Sequence, residues 1–227
     1  MALYLFDVFG NASIGVYSLV NDKIAIVPPQ VPESKRQKIE EWLKVKVVAT
    51  TIGKSLVNGA MACSNSNGVL LPSAATDEEI EVIESAKLGL NVTVMDTRRT
   101  AYGNLVLAND KGAVVDPRLT PETMAKISDT LGVEVVHGEI AGLPYVGSLA
   151  CATNKGVLAH PLLKDEERKV LNDVLKVPVD VGTVNCGIPY VATGLVANSY
   201  GAMIGLLTTG PEMFIIGQAL DVVKDND

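Results

Sequence analysis

Apolar positions along this 227-residue chain fall into a pattern that returns about every 44 residues. The first copy shows the unit. Residues 15–20 have the composition of a strand, and Asn21-Asp22-Lys23 is a tight turn, because Asn and Asp bond their own backbone. Residues 24–27 form a second strand, stopped by Pro28 and Pro29, which cannot donate to a sheet ladder. Residues 32–43 read as a helix and 46–49 as a third strand. The predicted module is strand, strand, helix, strand.

The repeat aligns column by column. Gly15, Gly59, Gly103 and Gly147 are each 44 residues from the next, and Ala192 follows one residue late. Asn21, Asn65, Asn109 and Asn198 mark the turn, with Thr153-Asn154 in the fourth copy. Gly68, Gly112, Gly156 and Gly201 recur, with Ile24 in the first copy. Ile39, Ile83, Ile127, Leu171 and Ile216 form one helix column. Leu43, Leu131, Leu175 and Leu220 form another, four positions on, so each helix docks by a narrow apolar stripe. Helix starts are signalled by Thr76 before Asp77-Glu78-Glu79, by Thr120 before Pro121-Glu122, and more loosely by Thr209-Gly-Pro211-Glu212. The second copy carries two extra residues around 87–89, so its helix should end differently.

A fixed period of this length means a stack or ring of supersecondary units. The fifth copy stops after its helix and lacks a third strand, while Leu3-Tyr4-Leu5 falls where Val47-Val48-Ala49 and Val179-Asp180-Val181 fall. The N-terminal strand can therefore complete the last module and leave no open sheet edge. The expected fold is α/β, a closed five-fold pseudosymmetric propeller with helices outside. It should be one domain over 1–227, with modules at about 8–51, 52–96, 97–140, 141–184 and 185–227 plus strand 2–7.

Composition narrows the chemistry. No run of about 20 apolar residues spans a membrane, and no basic region precedes the N-terminal apolar residues, so a signal peptide is not expected and a cytoplasmic location is. The net charge of −7 argues against broad nucleic-acid affinity and suits a basic protein partner, as well as solubility. Cys63 and Cys151 share a column with Leu19, Leu107 and Val196, so both read as packing residues. There is no P-loop, no G-x-S-x-G, no H-E-x-x-H and no C-x-x-C, and only two histidines, His137 and His160. His160, beside Pro161, reads as structural. Cys186 is the one cysteine with a possible chemical role, as a nucleophile needing a histidine and a carboxylate.

A binding face is the stronger reading. The glycine column should lie at one end of the ring, each glycine beginning the same strand. The residue after each is Val16, Ala60, Asn104, Ser148 and Thr193, so a symmetric scaffold carries an asymmetric rim. Arg98 and Arg99 enter the third module beside Asn104 and add charge to that rim.

Ser13-Ile-Gly15-Val, Thr100-Ala-Tyr-Gly-Asn-Leu105, Leu143-Pro-Tyr-Val-Gly-Ser148, 154–161 (Asn-Lys-Gly-Val-Leu-Ala-His-Pro), Val181-Gly-Thr-Val-Asn185 and Thr208-Thr-Gly-Pro-Glu212 together resemble the archaeal translation initiation factor 6 family of ribosome anti-association factors. The resemblance runs from about residue 9 to residue 220. It implies the five-module ring called the pentein fold, and no enzyme activity, cofactor or small-molecule substrate. It implies binding, as a monomer, to the intersubunit face of the large (50S) ribosomal subunit. The chief contact would be the ribosomal protein that bridges to the small (30S) subunit, with the sarcin-ricin loop of the RNA nearby, so that subunit joining is blocked. By similarity, Gly103 and Asn104 are the leading contact residues, followed by Gly15 and the loop Asn58-Gly59-Ala60; Ala60 stands where eukaryotic relatives have a basic residue. Regulation through an extended C-terminal tail is not expected. The competing class is a guanidino-modifying enzyme of the same fold, with Cys186 as nucleophile.

Overall fold

The computed structural model describes residues 2–222. Its first module runs through a one-turn helix Ile14–Tyr17, strands Leu19–Val20 and Ile24–Val27, helix Glu33–Leu43 and strand Lys46–Ala49. The first two strands form an antiparallel hairpin, with Leu19 opposite Ile26. The third strand pairs parallel to the second, with Ile24 opposite Lys46. The other four copies repeat this order, giving five separate three-stranded sheets. In the fifth, Leu3–Phe6 pairs parallel with Ala202–Gly205, so the N-terminal strand supplies the missing third strand, as the period predicts.

The core explains why no module stands alone. It is divided into five apolar clusters, each joining the sheet of one module to the helix of the next. Leu70 and Met95 of the second module pack with Ile127 and Leu131 of the third. Leu107 and Val114 of the third pack with Leu171 and Leu175 of the fourth. Val196 and Met203 of the fifth pack with Ile39 and Leu43 of the first. Every residue in both predicted helix columns is buried.

Asparagine stitches the modules at the hairpin turns. Asn21 Oδ1 accepts the backbone amide of Lys23, which shapes its own turn. Asn21 Nδ2 donates to the Asn65 carbonyl of the next copy at 2.7 Å. Asn65 reaches Asn109 and Asn109 reaches Thr153 in the same way. Asn198 reaches back to the Asn21 carbonyl at 3.1 Å, so the fifth module meets the first as other neighbours meet. These side chains are buried, and each finds a partner.

Helix starts follow the sequence signals. Thr76 and Glu79 form the reciprocal capping box, and Thr120 accepts from the Thr123 amide with Pro121 at the first helical position. The second module's helix ends early, at Glu84, and its extra residues include Lys87 and Gly89 with positive φ.

Candidate binding face

Five one-turn helices, Ile14–Tyr17, Asn58–Met61, Tyr102–Leu105, Val146–Leu149 and Val191–Gly194, converge at one end of the molecule. This corrects the expectation that the repeated glycines begin strands: each sits second in a helical turn, and the strand starts three or more residues later. The reason is crowding between copies. A methyl group on Gly59 would overlap the carbonyl oxygen of Gly15, one on Gly103 that of Gly59, and one on Gly147 that of Gly103. The four turns that carry these glycines therefore pack backbone against backbone on a neighbouring turn, which a bare Cα permits, while the fifth turn holds Ala192 in the same column.

The residues after those positions, Val16, Ala60, Asn104, Ser148 and Thr193, line one shallow depression together with Gly15, Gly59, Gly103 and Gly147. The structure thus brings together seven of the sequence candidates: Gly15, Gly59, Ala60, Gly103, Asn104, Ser148 and Thr193. All seven are half-buried. Thr193 Oγ1 donates to the Tyr190 carbonyl at 2.7 Å. The Asn104 amide and the Ser148 hydroxyl make no side-chain hydrogen bond within the described residues, so both remain available.

Asn58 does not belong to this rim. It is fully buried, and its Nδ2 donates to the Thr50 carbonyl at 2.8 Å. Its counterparts Ile14, Tyr102, Val146 and Val191 are also buried, because the residue before each glycine points inward. Arg98 and Arg99 lie in the loop leading into the third turn and line a neighbouring pocket with Arg118, not the central depression.

Several exposed apolar side chains belong to loops at this end of the molecule. Phe9, Tyr145, Ile188 and Tyr190 lie in segments leading into helical turns, and Leu206 and Leu207 follow the second strand of module five at the same end.

The family model described as the eIF-6 family matches residues 3–219. The chain belongs to the eIF-6 family. It is 38% identical to translation initiation factor 6 of Staphylothermus marinus, over 97% of this chain and 98% of that protein. It is 47% identical to the Pyrococcus furiosus protein of the same name, over 96% and 97%, and 48% identical to that of Aeropyrum pernix, over 94% and 93%. Among solved structures it is similar to DDAH from Pseudomonas aeruginosa, at 16% identity and a TM-score of 0.45 over 74% of this chain and 68% of that one.

For this eIF-6 chain the nucleophile reading of Cys186 finds no support in geometry. Cys186 is exposed, in a left-handed turn, and its amide donates to Glu212. Neither histidine bonds to it. His160 Nδ1 accepts from the Leu162 amide, and His137 Nε2 bonds to the Leu119 carbonyl. Burial holds His160 below its ordinary pKa and pushes the Cys63 and Cys151 thiols up to about 12, which suits packing roles. No cluster of three or more His, Cys, Asp or Glu among the described residues is arranged to hold a metal ion. None of the described helices is long and apolar enough to cross a membrane.

Sequence reasoning missed Arg118 and the role of one column. Glu79, Glu167 and Glu212 occupy equivalent positions in the helix starts of modules two, four and five. Each accepts backbone amides from the loop before its module's helical turn: Glu79 from Gly53 and Lys54, Glu167 from Ala141 and Gly142, Glu212 from Cys186 and Gly187. Module one inverts the signs, with Lys35 in that column paired to Asp7 at 2.7 Å. Module three has Thr123 there. The repeat period alone would have exposed this break.

Proposed function

We propose that this chain is a translation initiation factor that acts on the ribosome, binding the intersubunit face of the large subunit so that the small subunit cannot join. Membership of the eIF-6 family and the names of its relatives support the first part. The observation that carries the second is the depression itself: an unengaged Asn104 amide and Ser148 hydroxyl, held on turns that pack backbone to backbone, at an end whose loops expose aromatic and aliphatic side chains. A rim so fixed loses little conformational freedom on binding. The contact residues in this reading are Gly15, Gly59, Ala60, Gly103, Asn104, Ser148 and Thr193, with Arg98 and Arg99 at the side.

The partner is the ribosomal protein that forms the bridge to the small subunit, with the sarcin-ricin loop nearby. A net charge of −7 complements a basic protein and speeds encounter. Blocking requires a specific interface of about 1,600 Å² in total. The protein acts as a cytoplasmic monomer by steric exclusion, without catalysis. Sedimentation tests this directly. The protein should pellet with purified large subunits and suppress joined ribosomes when small subunits are added. A protein that stays in the supernatant would sink the proposal.

A further inference from the structure

The break in the repeat at module three opens a basic pocket. In modules two, four and five a carboxylate of the chain fills the space between helix start and loop. Where module three has Thr123 instead, there is a pocket of about 390 Å³ lined by Arg98, Arg99, Arg118 and Lys126, with Asp96 and Glu122 as its acidic residues. Three of the chain's five arginines are here, on a protein of net charge −7. Arg98, Arg99 and Lys126 form no ion pair within the described residues, whereas Arg118 pairs with Asp116 at 2.5 Å.

The pocket is built rather than incidental. Asp116 is fully buried and accepts both Nε and Nη2 of Arg118, which fixes that guanidinium over the Tyr145 ring. The Arg118 carbonyl accepts from Arg99 Nη2 at 3.4 Å. On the other wall the hydroxyl of buried Tyr102 bonds to Thr97 Oγ1 at 2.7 Å and steadies the arginine-bearing loop. Tyr102 directly precedes the Gly103-Asn104 step, so pocket and rim share one element.

We propose that this pocket is a phosphate-binding site that takes the sugar-phosphate backbone of ribosomal RNA when the rim docks. The inference rests on the ribosome-binding reading above. Asp116 neutralises Arg118, and the three cations left without an ion pair, Arg98, Arg99 and Lys126, outnumber Asp96 and Glu122, so the pocket keeps a net positive charge that suits a phosphate. On a chain of net charge −7, RNA contact is favoured where cations gather.

The test is the salt dependence of binding to large subunits, because each neutralised phosphate releases counterions. In an Arg98→Gln, Arg99→Gln double variant, the slope of log affinity against log salt should fall by about 1.5, at roughly 0.7–0.9 per lost contact. Thr123→Glu supplies the missing carboxylate and the partner for a capping box with Thr120, so it should fold at least as well and flatten the slope similarly. Asn104→Ala should weaken binding with the slope unchanged. A wild-type protein that does not bind subunits removes the functional reading and this inference with it. A wild type that binds, with variants of unaltered slope, overturns this inference alone. A second arm separates RNA from an acidic protein. A hydroxyl-radical probe tethered at Thr100→Cys, in a Cys186→Ser background, should cut ribosomal RNA at one locus. A flattened slope without RNA cleavage assigns the pocket to an acidic protein segment and overturns the proposal.

Discussion

Replacing Glu212 by Gln should cost about 3 kcal/mol of stability at pH 7 and far less at pH 3. The carboxylate is buried and accepts five hydrogen bonds: from the Thr183 hydroxyl at 2.7 Å, the Gly187 amide at 2.8 Å, the Cys186 amide at 3.1 Å, and the Thr209 amide and hydroxyl at 2.7 and 2.8 Å. Burial on its own would raise its pKa. The amides of Thr209 and Gly187 and the hydroxyls of Thr183 and Thr209 outweigh that and hold it down, from an ordinary 4.5 to about 2. Each unit is worth about 1.36 kcal/mol, so the ionised form contributes about 3 kcal/mol to folding. Gln turns one acceptor oxygen into a donor. Whichever oxygen is lost, at least one backbone amide is left facing another donor, which costs about 1–3 kcal/mol on its own and so agrees in size.

The sign of the pH effect follows from the depressed pKa. The contribution is complete above about pH 4.5 and is lost as pH falls toward 2. At pH 3 about 1.4 kcal/mol should remain by the same linkage. Urea unfolding of wild type and Glu212→Gln, followed by circular dichroism at pH 7 and pH 3, measures both differences. An equal difference at the two pH values would refute the charged origin of the effect and leave only packing.

Gly103→Ala should destabilise by 2 kcal/mol or more, on the order of an overpacked core, because its methyl group overlaps the Gly59 carbonyl. An unchanged melting temperature would show that the turns do not pack so closely. Asn104→Ala should leave stability within about 0.5 kcal/mol and weaken large-subunit binding by about 1–3 kcal/mol, by orphaning a partner group in the interface. Undiminished affinity counts against Asn104 as a contact. One equivalent of maleimide at pH 8 should modify Cys186 alone, since the thiols of Cys63 and Cys151 are pushed up to about 12; peptide mass spectrometry reads the sites, and label on Cys63 in the native protein would contradict its burial.

The helices were legible in the sequence because a stripe spaced by four survives five repetitions, and Ile39, Ile83, Ile127, Leu171 and Ile216 are all buried. The pairing of Leu3–Phe6 with the last module was legible for the same reason. The helical turns were not. Ile14-Gly-Val-Tyr17 is too short to show a helical period, and its β-branched and aromatic residues suggest a strand. What bends it is contact with Ala192 on another copy, which no local pattern contains. Asn58 misled for a related reason. A polar residue beside a rim glycine looks like a surface group, yet its column faces the core and its amide serves Thr50. The asparagine turns were half legible: the local bond within each turn follows from residue type, but the second bond, to the next copy, needs the third dimension.

The repeat also explains how one end of the molecule can hold two chemistries. The turns share a backbone fixed by their glycines, so a change at the following residue alters the face with little effect on the fold. The carboxylate column works on the loops instead. Glu79, Glu167 and Glu212 bind those loops tightly, and Lys35 with Asp7 does so with reversed charge. Module three alone leaves its loop without such a clamp, and there the arginines stand. The exposed apolar side chains of the loops at this end belong to modules four, five and one, among them Tyr145, Ile188, Tyr190, Leu206, Leu207 and Phe9. The two sectors meet where the Arg118 guanidinium lies over the Tyr145 ring. A surface made of protein and RNA together offers both kinds of partner side by side, and a single substitution in either sector should weaken one of them while sparing the other.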